Sequence, residues 1–257
     1  MKIFIDTANL KEIREACSWG IIDGLTTNPS LIRRAVEAEK QDQIEMAAYI
    51  EEICQTVPGP VSLEVVGLNA KEMVQEAMHL YARFNKIQQN VVIKIPVNTN
   101  DGRGEQADFE GLKAISTLAE RSVPINATLV MTSEQALLAA KAGAKYVSPF
   151  MGRVDDFAKS QARKEECSPS SIPASARLIR TIRTILDNYD LACEVIAASV
   201  RHVHHVRAAA VAGAQIATIP FAVLFHMIRH PKTEEGIRRF SEDVIPDYSS
   251  LFDNATT

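Results

Sequence analysis

Eight short runs rich in β-branched residues recur along the chain, and each is followed by a segment that can form a helix. This alternation is typical of a parallel sheet whose strands are joined by crossover helices. Eight such units in 257 residues, with no linker rich in Gly, Ser or Pro, predict an α/β protein built as a single closed (β/α)8 TIM barrel. An open, doubly wound sheet is the structural alternative. The predicted strands are Ile3–Ile5, Ile22–Leu25, Val61–Val66, Val91–Ile95, Ile125–Val130, Tyr146–Ser148, Glu194–Ala198 and Ile216–Thr218.

Signals for helix ends support this number of units. Thr132 and Gln135 have the spacing of a capping box, in which each side chain bonds a backbone N–H of the other's turn. Gly143 and Gly213 stand where a helix needs a left-handed residue after its last turn. The sequence therefore predicts helices that end shortly before the sixth and eighth strands.

Three stretches are longer than strand–helix units require: Val97–Phe109, Asp155–Pro173 and the C-terminal segment 231–257. The first two follow strand ends, on the face where barrels carry their active sites, and are candidate lids; solvent-exposed insertions without a role are the alternative for the second. We expect residues 1–230 to form the barrel. A C-terminal helix around Thr233–Ser241 completes the same domain.

Composition excludes several classes of protein. The chain has 28 Lys and Arg against 32 Asp and Glu, a net charge of −4, so it offers no basic surface to nucleic acid or to an anionic membrane. The most apolar stretch is too short and too interrupted to span a bilayer, and no signal segment precedes the first strand. The four cysteines lie far apart without a CxxC pair. These features predict a cytoplasmic protein without a disulfide framework.

Three charged residues interrupt strands that are otherwise apolar: Asp6, Glu64 and Lys94. A buried charge is costly unless it is paired or functional. Lys94 is flanked by aliphatic residues, and a lysine withdrawn from water can present a free amine that attacks a carbonyl carbon. A structural ion pair with either carboxylate is the alternative for Lys94, as is a lysine that reaches solvent along the outer face of the strand.

The carboxylates of Asp6 and Glu64 suit proton transfer at separate steps of one reaction. The alternative is a structural role, in which both are buried acids bonded to the backbone or to Lys94. Neutral hydrogen-bonding residues also fall at predicted strand ends, where together they suit a polyol, although singly such residues more often cap helices and turns. They are Thr26, Thr27, Asn28, Asn126, Thr128 and Ser148.

Arg153, Ser199 and Arg201 follow the sixth and seventh strands, close to where barrels often bind phosphate. A guanidinium group donates two parallel hydrogen bonds to an oxyanion, so these residues are candidates for a phosphate site. Surface ion pairs are the alternative for the arginines.

His202, His204 and His205 form the one cluster in the sequence that resembles a metal site. No carboxylate or cysteine stands beside them in sequence, and the neighbouring arginines disfavour a cation. We therefore expect no metal site and interpret the cluster as a solvated helix start.

Seven motifs at successive strand ends resemble the transaldolase family of class I aldolases, in its small-subunit branch that also contains fructose-6-phosphate aldolases. The resemblance covers nearly the whole chain. The motifs are IFIDT at 3–7, GLTTNPS at 24–30, SLEV at 62–65, VIKIP at 92–96, INATL at 125–129, VSPFMGRVDD at 147–156 and AASVR at 197–201.

The resemblance implies a Schiff-base mechanism, without metal or cofactor, in which Lys94 forms an imine with a ketose. It implies that Asp6 is the acid–base group at the C–C bond that breaks. It also implies that Glu64 and Thr128 hold a water that shuttles protons. The remaining implied contacts are Asn28, Asn126 and Ser148 with the dihydroxyacetone part of the substrate, and Arg153, Ser199 and Arg201 with a phosphate.

Glu64 and Phe150 are the residues that transaldolases of this branch carry, whereas its aldolases tend to carry Gln and Tyr at these two positions. The resemblance thus implies transfer of dihydroxyacetone between sugar phosphates. Release of free dihydroxyacetone by a fructose-6-phosphate aldolase is one alternative, and a non-catalytic sugar-phosphate-binding barrel is another. A sulfonated or other anionic ketose is a third, if cations of the long segments reach the pocket: Arg103, Lys159, Arg163 or Lys164.

Apolar residues near the C-terminus offer surface for self-association: Phe221, Phe225, Ile237 and Phe240. Members of the small-subunit branch assemble into paired rings. The expectation is a homo-oligomer, and the resemblance makes a decamer the candidate assembly.

Overall fold

The computed structural model describes residues 1–38, 45–100, 108–164 and 172–252. The strands are β1 Lys2–Asp6, β2 Gly24–Thr26, β3 Val61–Glu64, β4 Val91–Pro96, β5 Ile125–Val130, β6 Tyr146–Pro149, β7 Glu194–Ala197 and β8 Ile216–Ile219. They pair in parallel in chain order, and β8 pairs with β1 to close the barrel. The predicted (β/α)8 barrel is therefore confirmed, and the open sheet is excluded.

Most of the described helices cover the outside of the barrel, whereas the last two carry no buried residue. The helices are α1 Leu10–Ser18, α2 Pro29–Ala38, α3 Met46–Thr56, α4 Ala70–Gln88, α5 Glu110–Ala119, α6 Ser133–Lys141, α7 Met151–Lys164, α8 Ala174–Asn188, α9 Val203–Ala212, α10 Phe221–Met227, α11 Pro231–Glu242 and α12 Pro246–Ser249. None of these described helices is long and apolar enough to cross a membrane.

The signals for helix ends are confirmed. Thr132 and Gln135 form both bonds of the capping box at the start of α6. Gly143 and Gly213 have φ values of 99° and 90° after α6 and α9, a conformation that side chains with a Cβ rarely adopt. The chain can therefore turn sharply into β6 and β8.

The interior of the barrel has an apolar lower layer and a polar upper layer. Because strand side chains alternate between the two faces, residues two apart on a strand point the same way. The buried lower cluster is Phe4, Val92, Tyr146, Ile196 and Ile216. Two residues further along the same strands stand Asp6, Lys94, Ser148, Ala198 and Thr218, which line one cavity. The period of the strands thus places the polar groups at their carboxyl ends.

Two segments differ from the expectations. Asp155–Lys164 is not an irregular insertion, because it forms most of α7, and the side chain of Asp155 is bonded to Ser175 of α8. This part of the candidate lid is therefore fixed against its neighbour. Residues 101–107 and 165–171, which make up most of the remaining lid segments, lie outside the described residues.

The C-terminal helix α11 confirms the helix predicted around Thr233–Ser241. None of its residues is buried. Ile237 and Phe240 are 61% and 73% exposed, so its apolar side chains are uncovered in the single chain.

Candidate functional site

A cavity of about 410 Å³ opens at the carboxyl ends of the strands. This is the face on which barrel enzymes place their active sites. Its lining residues are Asp6, Thr26, Asn28, Pro29, Ser30, Arg34, Glu64, Lys94, Leu129, Ser148, Phe150, Arg153, Ala198, Ser199 and Thr218. Nine residues predicted from sequence are therefore brought together here.

Lys94 lies at the centre of this arrangement, with only 5% of its surface exposed. Its Nζ lies 3.0 Å from Glu64 Oε2 and donates to the Thr27 carbonyl oxygen at 3.0 Å. The structural ion pair considered from sequence is thus present. Lys94 and Glu64 face each other because they are register partners on β4 and β3. A base that accepts a proton from the amine is therefore within hydrogen-bonding distance.

Asp6 ends β1 and accepts a hydrogen bond of 2.8 Å from the Thr26 hydroxyl. Thr26 is in turn 2.5 Å from the Thr218 hydroxyl of β8. Burial raises the pKa of Asp6 above its ordinary value, while the positive charge of Lys94 and the Thr26 hydrogen bond oppose that rise. The carboxylate consequently binds a proton more readily than an exposed aspartate does.

Asn126 and Thr128 lie in the buried wall beside Lys94, because β5 is the register neighbour of β4. Asn126 Oδ1 accepts from the Ser148 hydroxyl at 2.7 Å, and its Nδ2 donates to Ser62 Oγ at 3.2 Å. Thr128 is completely buried, and its hydroxyl has no hydrogen-bond partner among the described residues. A buried polar group of this kind is free to bind a small polar molecule.

Leu129 reaches the cavity through an irregularity in β5. The register with β6 shifts between Ala127 and Val130, and Leu129 has a left-handed backbone with φ of 59°. A regular strand would turn Leu129 away from the interior, as the alternation rule predicts. Sequence reasoning therefore missed this residue.

Two of the three predicted phosphate ligands, Arg153 and Ser199, line the far side of the cavity. Arg153 lies in the first turn of α7, with its guanidinium 5.3 Å from the ring centre of Phe150. Ser199 lines the cavity from the end of β7. Arg201 is not among the lining residues, because both ends of its guanidinium pair with Asp156 at 2.9 and 2.7 Å. This hydrogen-bonded pairing holds the pKa of Asp156 below its ordinary value.

Five further cavity residues were not predicted as site residues: Pro29, Ser30, Arg34, Ala198 and Thr218. Arg34 lies on α2, and the sequence does not set it apart from other surface charges. The orientation of α2 brings it to the cavity. Thr218 is the polar residue of the short apolar strand β8, and its position two residues after Ile216 was the available signal in the sequence. Lys159 is exposed and does not line the cavity. Arg103 and the side chains of Arg163 and Lys164 lie outside the described residues.

The histidine cluster departs from the expected solvated helix start. His202 caps α9 by accepting from the His205 N–H, but His205 itself is buried and lies 3.2 Å from an Asp155 oxygen. The carboxylate partner was missed because Asp155 is distant in sequence. Among the described residues, no group of three or more His, Cys, Asp and Glu side chains is arranged to hold a metal ion.

A closed (β/α)8 barrel whose cavity, at the carboxyl ends of the strands, is lined by a buried lysine and two carboxylates has the features of a barrel enzyme. The family model described as transaldolase/fructose-6-phosphate aldolase matches residues 3–255. A probable transaldolase of Caldicellulosiruptor saccharolyticus is 48% identical over 244 residues, which are 95% of this chain and 96% of the relative. A probable transaldolase of Thermus thermophilus is 42% identical over 245 residues, covering 95% and 97% of the two chains.

The chain therefore belongs to the transaldolase/fructose-6-phosphate aldolase family. The family and the names of these relatives indicate an enzyme of the transaldolase type.

Proposed function

We propose that the protein transfers a dihydroxyacetone unit from a ketose phosphate to an aldose phosphate through a Schiff base on Lys94. The observation that carries this proposal is the buried Lys94 amine, 3.0 Å from Glu64, in a cavity that Asp6 also lines. A non-catalytic barrel would keep this costly group of buried charges without using it.

In the proposed first half-reaction, Lys94 Nζ attacks the ketose carbonyl carbon after losing a proton to Glu64. The carbonyl oxygen leaves as water, and an iminium forms. Asp6 takes the proton of the hydroxyl next to the scissile C–C bond. The electrons of that C–C bond move into the iminium as the bond breaks and the aldose phosphate departs. The raised pKa of Asp6 supports this role, because the carboxylate holds the proton until it is returned.

In the second half-reaction, the three-carbon enamine attacks the aldehyde carbon of the acceptor, and Asp6 returns the proton to the new hydroxyl. Water then hydrolyses the imine and restores the Lys94 amine. The unpartnered Thr128 hydroxyl supports a role in holding that water. Asn28, Asn126 and Ser148 supply hydroxyl and amide groups for the retained three-carbon unit.

At the other end of the cavity, Arg153 and Ser199 would bind the phosphate of the substrate. Arg201 would contribute only where the phosphate competes with Asp156 for its guanidinium. The cavity of about 410 Å³ lies within the size range of small-molecule sites.

Borohydride reduction in the presence of fructose 6-phosphate tests the covalent step. We expect a three-carbon adduct on Lys94, identified by intact mass and peptide mapping. Lys113 is the matched internal control, since it also pairs with a carboxylate, Glu110, but is exposed and is expected to remain unmodified. An adduct elsewhere, or none with any phosphorylated or sulfonated ketose, would contradict the Schiff-base proposal.

Glu64 and Phe150 support transfer over release of free dihydroxyacetone, because phenylalanine offers no hydroxyl to orient a hydrolytic water in the cavity. We expect fructose 6-phosphate to be consumed much faster when an aldose phosphate acceptor is present. The measurement compares acceptor-dependent ketose formation with dihydroxyacetone released without acceptor. Equal rates under both conditions would instead support the fructose-6-phosphate aldolase.

We also propose that the chain forms a homo-oligomer, with a decamer as the candidate assembly. The uncovered apolar side chains of α11, including Ile237 and Phe240, support association, because exposed apolar surface of this kind favours contacts between proteins. Light scattering on the purified protein measures the state directly.

A further inference from the structure

Three helices meet behind the phosphate end of the cavity, around the imidazole of His205. His205 lies on α9 and is 6% exposed, and its Nε2 is 3.2 Å from Asp155 Oδ2 of α7. Asp155 accepts two further hydrogen bonds from Ser175 at the start of α8, from the backbone N–H at 2.9 Å and from the hydroxyl at 2.8 Å. The mechanism proposed above uses none of these three residues.

The hydrogen bonds assign the protonation state of His205. Its Nδ1 accepts the backbone N–H of Arg201 at 3.3 Å, so this nitrogen carries no proton. Its Nε2 therefore carries the proton and donates it to Asp155. Burial and the neighbouring His202 lower the pKa of His205, although Asp155 opposes them. Among the described residues, the titratable and charged groups that act on the ring are Asp155, His202, Arg201 and Asp156, and the last two are paired with each other.

The backbone that His205 holds is the segment from Ser199 to Arg201. Ser199 has a left-handed backbone with φ of 55°, a strained conformation for a serine that its surroundings must maintain. The Gly152 N–H donates to the Ser199 carbonyl oxygen at 3.1 Å. A Cβ at Gly152 would overlap both that oxygen and the Arg201 guanidinium. The segment is thus docked closely on the first turn of α7.

That first turn also carries Arg153, the other proposed phosphate ligand. His205 consequently contacts both halves of the phosphate end: α7 through Asp155, and the Ser199–Arg201 segment through the Arg201 N–H. This double contact joins the elements that carry Arg153 and Ser199, in addition to the direct hydrogen bond from Gly152 to Ser199.

We propose that His205, in its neutral form with Nε2 protonated, is a positioning residue that sets the geometry of the phosphate end of the cavity. This inference rests on the proposed function, since it assumes that Arg153 and Ser199 bind a phosphate. His205 touches no reacting atom. Its loss is expected to weaken the binding of phosphorylated substrates and to leave the chemistry at Lys94 unaffected.

Two replacements of His205 separate its contacts. His205→Gln keeps a donor that can reach Asp155 but loses the acceptor for the Arg201 N–H, whereas His205→Asn keeps an acceptor near the Nδ1 position and loses the donor. His204→Gln is the matched control, because His204 is the exposed neighbour on the same helix. Each protein is assayed with fructose 6-phosphate and with unphosphorylated fructose, and inorganic phosphate is tested as a competitive inhibitor.

For His205→Gln we expect KM for fructose 6-phosphate and Ki for inorganic phosphate to rise about tenfold, the effect of losing one buried hydrogen bond. We expect kcat with fructose 6-phosphate, and kcat/KM with fructose, to stay within about twofold of the parent. His205→Asn is expected to have a smaller effect on KM, and His204→Gln none. A role in stability alone predicts instead the same fractional loss with both substrates, and that result would overturn the proposal.

Assays of the parent protein separate a failure of the proposed function from a failure of the positioning role of His205. If it neither prefers fructose 6-phosphate to fructose nor is inhibited by phosphate, the proposed function is wrong at this end of the cavity and the role of His205 falls with it. If the parent shows the preference and His205→Gln retains it undiminished, only the positioning role is wrong.

Two measurements apply if His205→Gln fails to fold. Ser175→Ala leaves His205 in place and removes one bond to Asp155, and we expect a smaller increase in KM for fructose 6-phosphate only. Nitrogen-15 NMR of the histidine rings in the parent protein at neutral pH is expected to show His205 with Nε2 protonated and Nδ1 free. Protonation at Nδ1 would overturn the proposal.

Discussion

Lys94→Met is expected to reduce turnover of ketose phosphates by about four orders of magnitude or more, because no other lysine in the described part of the chain lines the cavity to form the imine. Methionine is close to lysine in length and fills the same space. The loss therefore reports the missing amine and not a collapsed site. Steady-state kinetics with fructose 6-phosphate and an aldose phosphate acceptor provide the measurement.

The same substitution is expected to destabilise the protein, since it leaves the Glu64 carboxylate without its cation. Breaking a largely buried ion pair by removing one partner costs up to about 3 kcal/mol. Lys94→Met combined with Glu64→Gln is expected to recover most of the free energy of unfolding without recovering activity. Lys113→Met, which removes an exposed ion-paired lysine, is the control and is expected to change neither property. Activity retained by Lys94→Met would refute the covalent mechanism.

Asp6→Asn is expected to lower kcat by about 10²- to 10⁴-fold, the contribution of a well-placed general base. The imine still forms in this variant, because Lys94 and Glu64 are unchanged. Borohydride is therefore expected to trap the uncleaved six-carbon ketose on Lys94 in place of the three-carbon fragment. A three-carbon adduct formed at the parental rate would show that another group removes the proton.

The Asp6→Asn variant is also expected to be more stable than the parent at neutral pH. The folded-state pKa of Asp6 lies above the ordinary value of 3.8, so ionisation of this carboxyl lowers the free energy of unfolding. This cost is fully present above the folded-state pKa and disappears as the pH falls below 3.8. Thermal melting of both proteins across this range is expected to show a difference that narrows toward acid. Equal melting temperatures at neutral pH would contradict the argument.

The barrel could be predicted from the sequence because parallel strands are buried on both sides and stand out as short apolar runs. A charged residue within such a run is unusual. For this reason Asp6, Glu64 and Lys94 could be predicted as candidate site residues without coordinates. Their convergence follows from strand period and register: Glu64 and Lys94 are direct partners across β3 and β4.

The parts that sequence reasoning missed depend on helix orientation and on contacts between distant segments. Arg34 lies on a helix, where a basic residue is most often solvated. The bond between His205 and Asp155 joins two helices whose packing is decided by the closed barrel, not by local sequence. Arg201 pairs with Asp156 instead of lining the cavity. The residues next to Arg201 and Asp156 in sequence do not predict this ion pair.

The closed barrel separates two groups of cavity residues. The ion-paired lysine and its carboxylates come from β1, β3 and β4, whereas Arg153 and Ser199 follow β6 and β7. Under the proposed function, the bond-breaking machinery and the recognition of the leaving sugar belong to different arcs of the ring. Natural variation or engineering can therefore change substrate range by exchanging the loops of one arc, while the reaction performed by the other arc is inherited intact.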